Sequence, residues 1–368
     1  MTTAWAAKER EKSMKVRGKK RFTGPLLFSV MIMFLMSGCI KGYKMTDKFD
    51  WLPTECGPEK YPMEIVHGEF IFENGRSAFI PNGKTLRNGW GKHGSTWIVG
   101  PDVKPVPVKM DIVFFSYTED KFYGGSFDLP HKKMSELFHE GYDRAYFPDS
   151  KETYGYIMAG VAPRGEISVW MGTGRIVEVA SFQAEEIEVD WKRMLDNPAI
   201  SREEFVKDVL EENLSKEEIS LLRKEGVPHG RWTHTYRKKY DWEPEISPDW
   251  NKPEDILLDT FNGEVEFFDF TRADVGKTLD RDRALPKKVK MGWDNPKWGN
   301  CLQTIFFDEQ EVFKAFDKFH EIHPGATLAL EFEVSDVSET IRVFLKDDQH
   351  LIELKKIKYG TRYHSMAE

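Results

Sequence analysis

Cysteine is scarce in this sequence, with three in 368 residues. That excludes a disulfide-stapled scaffold and a multi-cysteine zinc module, both of which need several thiols. Basic residues are in the minority, 53 Lys and Arg against 61 Asp and Glu. With acids in excess and no surplus of cations to neutralise phosphates, the chain is a poor candidate for nucleic acid and no such partner is expected. Long apolar runs are missing too, with one exception of twelve residues. A polytopic helical membrane protein is therefore excluded, since each span needs roughly 20 apolar residues. Gly-x-Ser-x-Gly, the nucleophile elbow of many secreted hydrolases, does not occur. Gly172-x-Gly174 stands alone and reads as a hairpin turn rather than a phosphate loop.

What is present starts at the one apolar run. Lys15, Arg17, Lys19, Lys20 and Arg21 precede Pro25 to Met36, and Met36-Ser37-Gly38-Cys39 follows. A basic stretch, a short apolar stretch and small residues are the parts of an export signal. Ser37 and Gly38 fit the narrow groove of a peptidase, and the thiol of Cys39 can take a diacylglycerol. The pattern resembles the bacterial lipobox, with Met36 where leucine is usual. Residues 1–38 are thus expected to be a signal peptide and Cys39 the lipid-attachment residue. Several acyl chains there exceed the two signals that stable anchoring requires. Ile40, where an aspartate would retain the protein in the inner membrane, favours the outer membrane with the body facing the periplasm.

Residues 1–38 hold eight Lys and Arg and two Asp and Glu, or +6, which takes the remaining chain from the overall −8 to about −14. An acidic body of this kind suits a basic protein surface as partner and not an anionic lipid headgroup. Aromatic content of 13% with eleven Trp indicates a packed, strand-rich fold.

Residues 39–60 are polar, with Pro53, Gly57 and Pro58, and read as a lipidated tether. Residues 61–190 form a first unit. Its strand signals are Glu64 to Phe72, Val106 to Phe115 and Lys121 to Asp128, with Asn-Gly turns at 74, 82 and 88. A helix is expected over 130–140 with Met134, Leu137 and Phe138 on one face, then an antiparallel meander over 154–182. Residues 191–245 read as a helical hairpin, started by Ser201 and Ser215 with Glu three places on, plus a basic-aromatic extension. Residues 246–257 read as a Pro-containing linker. Residues 258–368 form a second, shorter unit.

The two units echo each other. Gly68 to Phe72 matches Gly263 to Phe267, Val108 to Met110 matches Val289 to Met291, and Ser126 to Phe138 matches Phe306 to Phe319. Ile167 to Val169 matches Ile341 to Val343, and Arg175 to Val179 matches His350 to Leu354. The fold class expected is α+β: two related antiparallel-sheet units, each with a helix on one face, and a helical hairpin inserted between them.

Candidate site residues are few. Trp90, Trp97, Phe122 and Tyr123 lie beside glycines and offer a recognition surface, against the alternative of core packing. Cys56 and Cys301 form either a disulfide or two separate thiols. His320 and His323 stand three apart near a helix end without a third ligand in sequence, so no metal is expected. Ser95, beside His93, is the nearest approach to a nucleophile, though a turn hydroxyl is the simpler reading.

The lipobox cysteine Cys39, Gly89-Trp90-Gly91, Lys121-Phe122-Tyr123, Leu129-Pro130, Gly165 to Gly172, Val189-Asp190-Trp191 and Tyr240 to Pro244 resemble a family of Gram-negative lipoproteins catalogued as domain of unknown function 2931. The resemblance covers residues 61–245 best and implies no established activity and no catalytic residue. The expectation is a lipid-anchored envelope protein without a cofactor beyond its covalent lipid. It binds a protein, as an immunity or protective protein would. An envelope hydrolase with a site in the Gly/Trp-rich loops and a purely structural lipoprotein are the alternatives.

Overall fold

The computed structural model describes residues 47–364, apart from 99, 146, 195–198, 249–250, 272–281 and 336–339. The expected signal peptide and Cys39 lie outside the described residues. The described residues form one compact unit.

Among the described residues strands hold 48% and helices 20%, so the expected α+β class is corrected to a mostly β fold. The first strands are β1 (Lys48–Asp50), β2 (Leu52–Cys56), β3 (Met63–Ile71), β4 (Ser77–Phe79), β5 (Thr85–Leu86) and β6 (Val103–Pro105). They are followed by β7 (Lys109–Ser116), β8 (Lys121–Asp128), helix α1 (His131–Glu140), β9 (Tyr142–Arg144) and β10 (Phe147–Glu152). Next come β11 (Tyr156–Ala162), β12 (Glu166–Gly172), β13 (Ile176–Gln183) and β14 (Glu185–Ile187). The hairpin α2 (Arg202–Asn213) and α3 (Lys216–Glu225) leads to β15 (Lys239–Ser247), β16 (Lys252–Thr260), β17 (Val265–Asp269) and β18 (Asp282–Ala284). The chain ends on β19 (Pro286–Asn295), β20 (Gly299–Phe306), α4 (Glu309–Ile322), β21 (Leu328–Val334), β22 (Ile341–Lys346), β23 (Leu351–Leu354) and β24 (Lys358–His364).

A nine-stranded sheet runs β2-β11-β12-β13-β17-β16-β19-β20-β24. It draws strands from both halves of the sequence, so the two expected units are not separate sheets. A second sheet runs β14-β8-β7-β3-β4 and a third β18-β15-β21-β22-β23. Neither half is purely antiparallel. β2 runs parallel to β11, and β15 runs parallel to β21 with Trp242 opposite Leu328 and Ser247 opposite Glu333.

Tether and linker readings are also corrected. Residues 48–50 and 52–56 are strands, and the strands over residues 239–247 and 252–260 run into the expected linker from both ends. The reason lies in a pattern that prolines disguise: Lys48-Phe49-Asp50-Trp51-Leu52-Pro53 and Lys239-Tyr240-Asp241-Trp242-Glu243-Pro244. Both tryptophans are fully buried. Phe49 faces Lys104 across β1 and β6, and Tyr240 faces Arg283 across β15 and β18. Lys104 donates to the carbonyl of Trp51 at 2.9 Å and lies 5.9 Å from its ring centroid. Arg283 donates to the carbonyl of Trp242 and lies 5.4 Å from its ring centroid. Each cation is nearly buried, and the carbonyl and ring face replace part of its lost water.

The cores follow from the alternation of the strands. Leu328, Leu330, Phe332 and Val334 of β21 are buried while Ala329, Glu331 and Glu333 are half-exposed. Val312, Phe313, Phe316 and Phe319 of α4 recur on one helical face and are buried in the same cluster. Met134 and Phe138 of α1 belong to a second cluster with β3, β7, β11 and β12. The α2–α3 hairpin sets Phe205, Val209 and Leu210 on a small third cluster of Phe115, Tyr117 and Phe122. Arg202 fastens it, 2.6 Å from Asp120 and 5.5 Å from the ring centroid of Phe122.

Candidate functional site

Three of the four aromatic residues expected at a recognition surface are interior. Trp90 packs edge-on against Trp170 at 5.0 Å, Phe122 packs against Phe115 at 4.6 Å, and Tyr123 donates to Glu119 at 3.2 Å. Only Trp97 is open, 41% exposed, on a small groove of about 220 Å³ shared with Phe79, Val103, Lys48, Arg76 and Lys104. The glycines beside Trp90 have a packing reason instead. Gly91 has φ +73°, and a Cβ there would lie 2.3 Å from the Cα of Gly263. The backbone of the Gly89-Trp90-Gly91 turn therefore rests on the β16–β17 turn, where Asn262 also accepts the indole N–H of Trp170 at 3.0 Å.

No disulfide joins Cys56 and Cys301, which are both buried thiols. Burial pushes the Cys56 thiol up to about 12, against the weaker lowering effect of the Gly91 backbone. Ser95 Oγ meets Lys84 Nζ, and Lys84 Nζ is itself 2.6 Å from the buried Glu55 carboxylate. A lysine held by a carboxylate is a donor to Ser95 rather than a base for it. His93 lies tilted against Tyr156 instead, 5.0 Å between ring centroids.

A larger concavity than the Trp97 groove lies elsewhere, lined in part by His323 and Glu243. It is an open groove of about 880 Å³. Its floor is the parallel pair β15–β21, and its ends are the turn after α4 and the turn between β22 and β23. Glu243, Glu245, Asp347 and Asp348 line it, with Lys346 as the one cation of the lining. Lys346 is already held, 3.1 Å from Glu245 and 3.1 Å from Glu331. Acidic groups thus outnumber basic ones along the groove.

One end of the groove carries a cluster of His323, Asp347 and His350. His323 caps α4, its N–H bonded to the carbonyl of Phe319 at 2.8 Å, and Pro324-Gly325 ends the helix. Asp347 opens the β22–β23 turn, where its Oδ1 accepts the backbone N–H groups of Gln349 at 2.8 Å and His350 at 2.6 Å. His323 Nδ1 lies 2.7 Å from Asp347 Oδ2, and His350 Nδ1 lies 3.3 Å from Asp347 Oδ1. The two imidazoles stand edge to face, 5.2 Å between centroids. Desolvation works to raise the Asp347 carboxyl, but the Gln349 N–H, the His323 ring and the His350 N–H together hold it well below the usual carboxylate range. His320, the expected neighbour of His323, turns instead to Tyr240 at 6.0 Å. The partners of His323 come from a hairpin 24 residues on, a distance that local spacing rules do not reach.

No curated protein and no solved structure matches this chain significantly. The groove and the cluster of His323, Asp347 and His350 lie beyond residue 230, past the end of the family match. That match, to the family described as protein of unknown function (DUF2931), spans residues 40–230, more than half of the chain, and the protein belongs to that family.

Proposed function

We propose that the protein is an exported, lipid-anchored protein of a Gram-negative envelope whose body binds a basic segment of another protein rather than turning over a substrate. The anchor is Cys39, and the outer membrane, periplasmic side, is its place. The observation that carries the binding reading is the acidic groove. Glu243, Glu245, Asp347 and Asp348 line about 880 Å³ of open space, and its lysine is already committed to Glu245 and Glu331. A lysine- or arginine-rich strand or loop gains there by charge complementarity, which sets on-rate and specificity. An immunity or protective role, intercepting a toxic basic effector, is one form of this reading.

The competing hydrolase reading draws on Ser95 beside Lys84, but Glu55 holds that lysine as a cation donor. The test is capture of the product of a neighbouring effector gene by the purified protein, with Glu243→Lys/Glu245→Lys as the variant. The reading expects binding that weakens with salt and is lost in the variant. Binding that is indifferent to both would contradict it.

A further inference from the structure

The geometry points to a divalent transition-metal site formed by His323, Asp347 and His350. Each residue offers one ligand atom, and the three atoms lie within 4.8 Å of one another. From the one oxygen Asp347 Oδ2 the separations are 2.7 Å to His323 Nδ1 and 3.4 Å to His350 Nδ1. Ligands at about 2.0–2.1 Å around a tetrahedral zinc stand about 3.3 Å apart. An ion can therefore enter the cluster with side-chain shifts on the order of an ångström, replacing the direct contacts between carboxylate and imidazoles.

The ligands are also held. Asp347 is fixed by two backbone N–H groups of its own turn, and its side chain is only 5% exposed. The His350 ring contacts the buried Phe319 at 6.4 Å between centroids. Ligand groups aimed by their surroundings before the ion arrives are what distinguish a site from a chance approach of side chains.

Two imidazoles and one carboxylate select a late first-row dication over calcium or magnesium, which prefer oxygen alone. His323 and Asp347 line the groove, so the remaining coordination position opens toward it. The place in the first half that corresponds by strand order, the β12–β13 turn Gly172-Thr173-Gly174, carries neither imidazole nor carboxylate. The site belongs to the second half alone, outside the family match, and it stands whether or not the groove takes a protein.

The test is zinc binding to the detergent-solubilised full-length protein, by calorimetry and by zinc-dependent thermal shift. One equivalent is expected. Affinity should fall at least about tenfold in His323→Ala and in His350→Ala, since even outer partners of metal ligands are worth that much. His320→Ala should bind as the unaltered protein does. In the unaltered protein, zinc should also perturb two of the ten histidine ring resonances, which keeps the inference testable if a variant misfolds. Absence of stoichiometric binding, or binding undiminished in both variants, would overturn it.

Discussion

The carboxylate of Glu166, in β12, accepts the backbone N–H of Thr233 at 2.7 Å across 67 residues. It is one of four such bonds. Gly230 N–H reaches Oε1 at 2.7 Å, while Trp232 N–H at 2.9 Å and the Thr233 hydroxyl at 2.9 Å share Oε2. Gly230, at φ +65°, turns the chain so that these donors converge. Glu166 therefore stitches the segment after the helical hairpin to the nine-stranded sheet. In Glu166→Gln, an amide N–H₂ would face donors that need an acceptor. We expect a loss of about 3 kcal/mol, against about 1 kcal/mol for Thr233→Val. Denaturant unfolding of the two variants measures this, and equal small losses would contradict the arrangement.

The contact of Gly91 with Gly263 makes a second prediction. Gly75 has nearly the same φ, +75°, but nothing lies within 4 Å of a Cβ built there. Gly75→Ala should cost only left-handed backbone strain, about 1–2 kcal/mol. Gly91→Ala adds a clash with backbone and should cost about 2–5 kcal/mol. The comparison, read from midpoints of thermal unfolding, separates strain from close approach.

Glu64 supplies a pH dependence. Burial raises its carboxyl above the ordinary value, with the hydrogen bond from Tyr117 opposing. A raised folded-state value means the folded protein binds this proton more tightly than the unfolded chain. The stabilising contribution is complete below the ordinary carboxyl value of about 4.3 and is lost as pH rises through the raised one. Glu64→Gln keeps an acceptor for Tyr117 and removes the titration. It should flatten this part of the stability profile between about pH 4.3 and neutrality and be more stable than wild type at the upper end. A wild-type profile unchanged by the substitution would show that Glu64 does not titrate as its burial implies.

Local signals were legible in the sequence. Ser215 accepts from Glu218 N at 3.1 Å while Glu218 Oε2 accepts from Ser215 N at 2.9 Å, the reciprocal cap that its spacing suggested. The buried residues of β21 are Leu328, Leu330, Phe332 and Val334, and their alternation is written in the residues themselves. Non-local features were not. Proline 53 made β2 look like tether, and prolines 248 and 253 made the ends of β15 and β16 look like linker, yet β2 and β15 each pair in parallel with a strand far along the chain, Leu52 opposite Tyr156 and Trp242 opposite Leu328. The first expected echo also misplaced its register, since Gly68 lies inside β3 while Gly263 lies in the turn after β16. Trp90, Phe122 and Tyr123 looked like a surface because glycines flank them, but Gly91 serves close backbone packing. His323 showed its helix-end position, while Asp347 and His350 reach it only through the β22–β23 turn.

Lipid attachment at Cys39 is the proposal on which the envelope role depends. Growth with labelled palmitate, followed by isolation of the protein, tests it most directly. The account predicts label in wild type, found with the outer-membrane fraction, and none in Cys39→Ala. An unlabelled wild-type protein, or equal label in the variant, would contradict it.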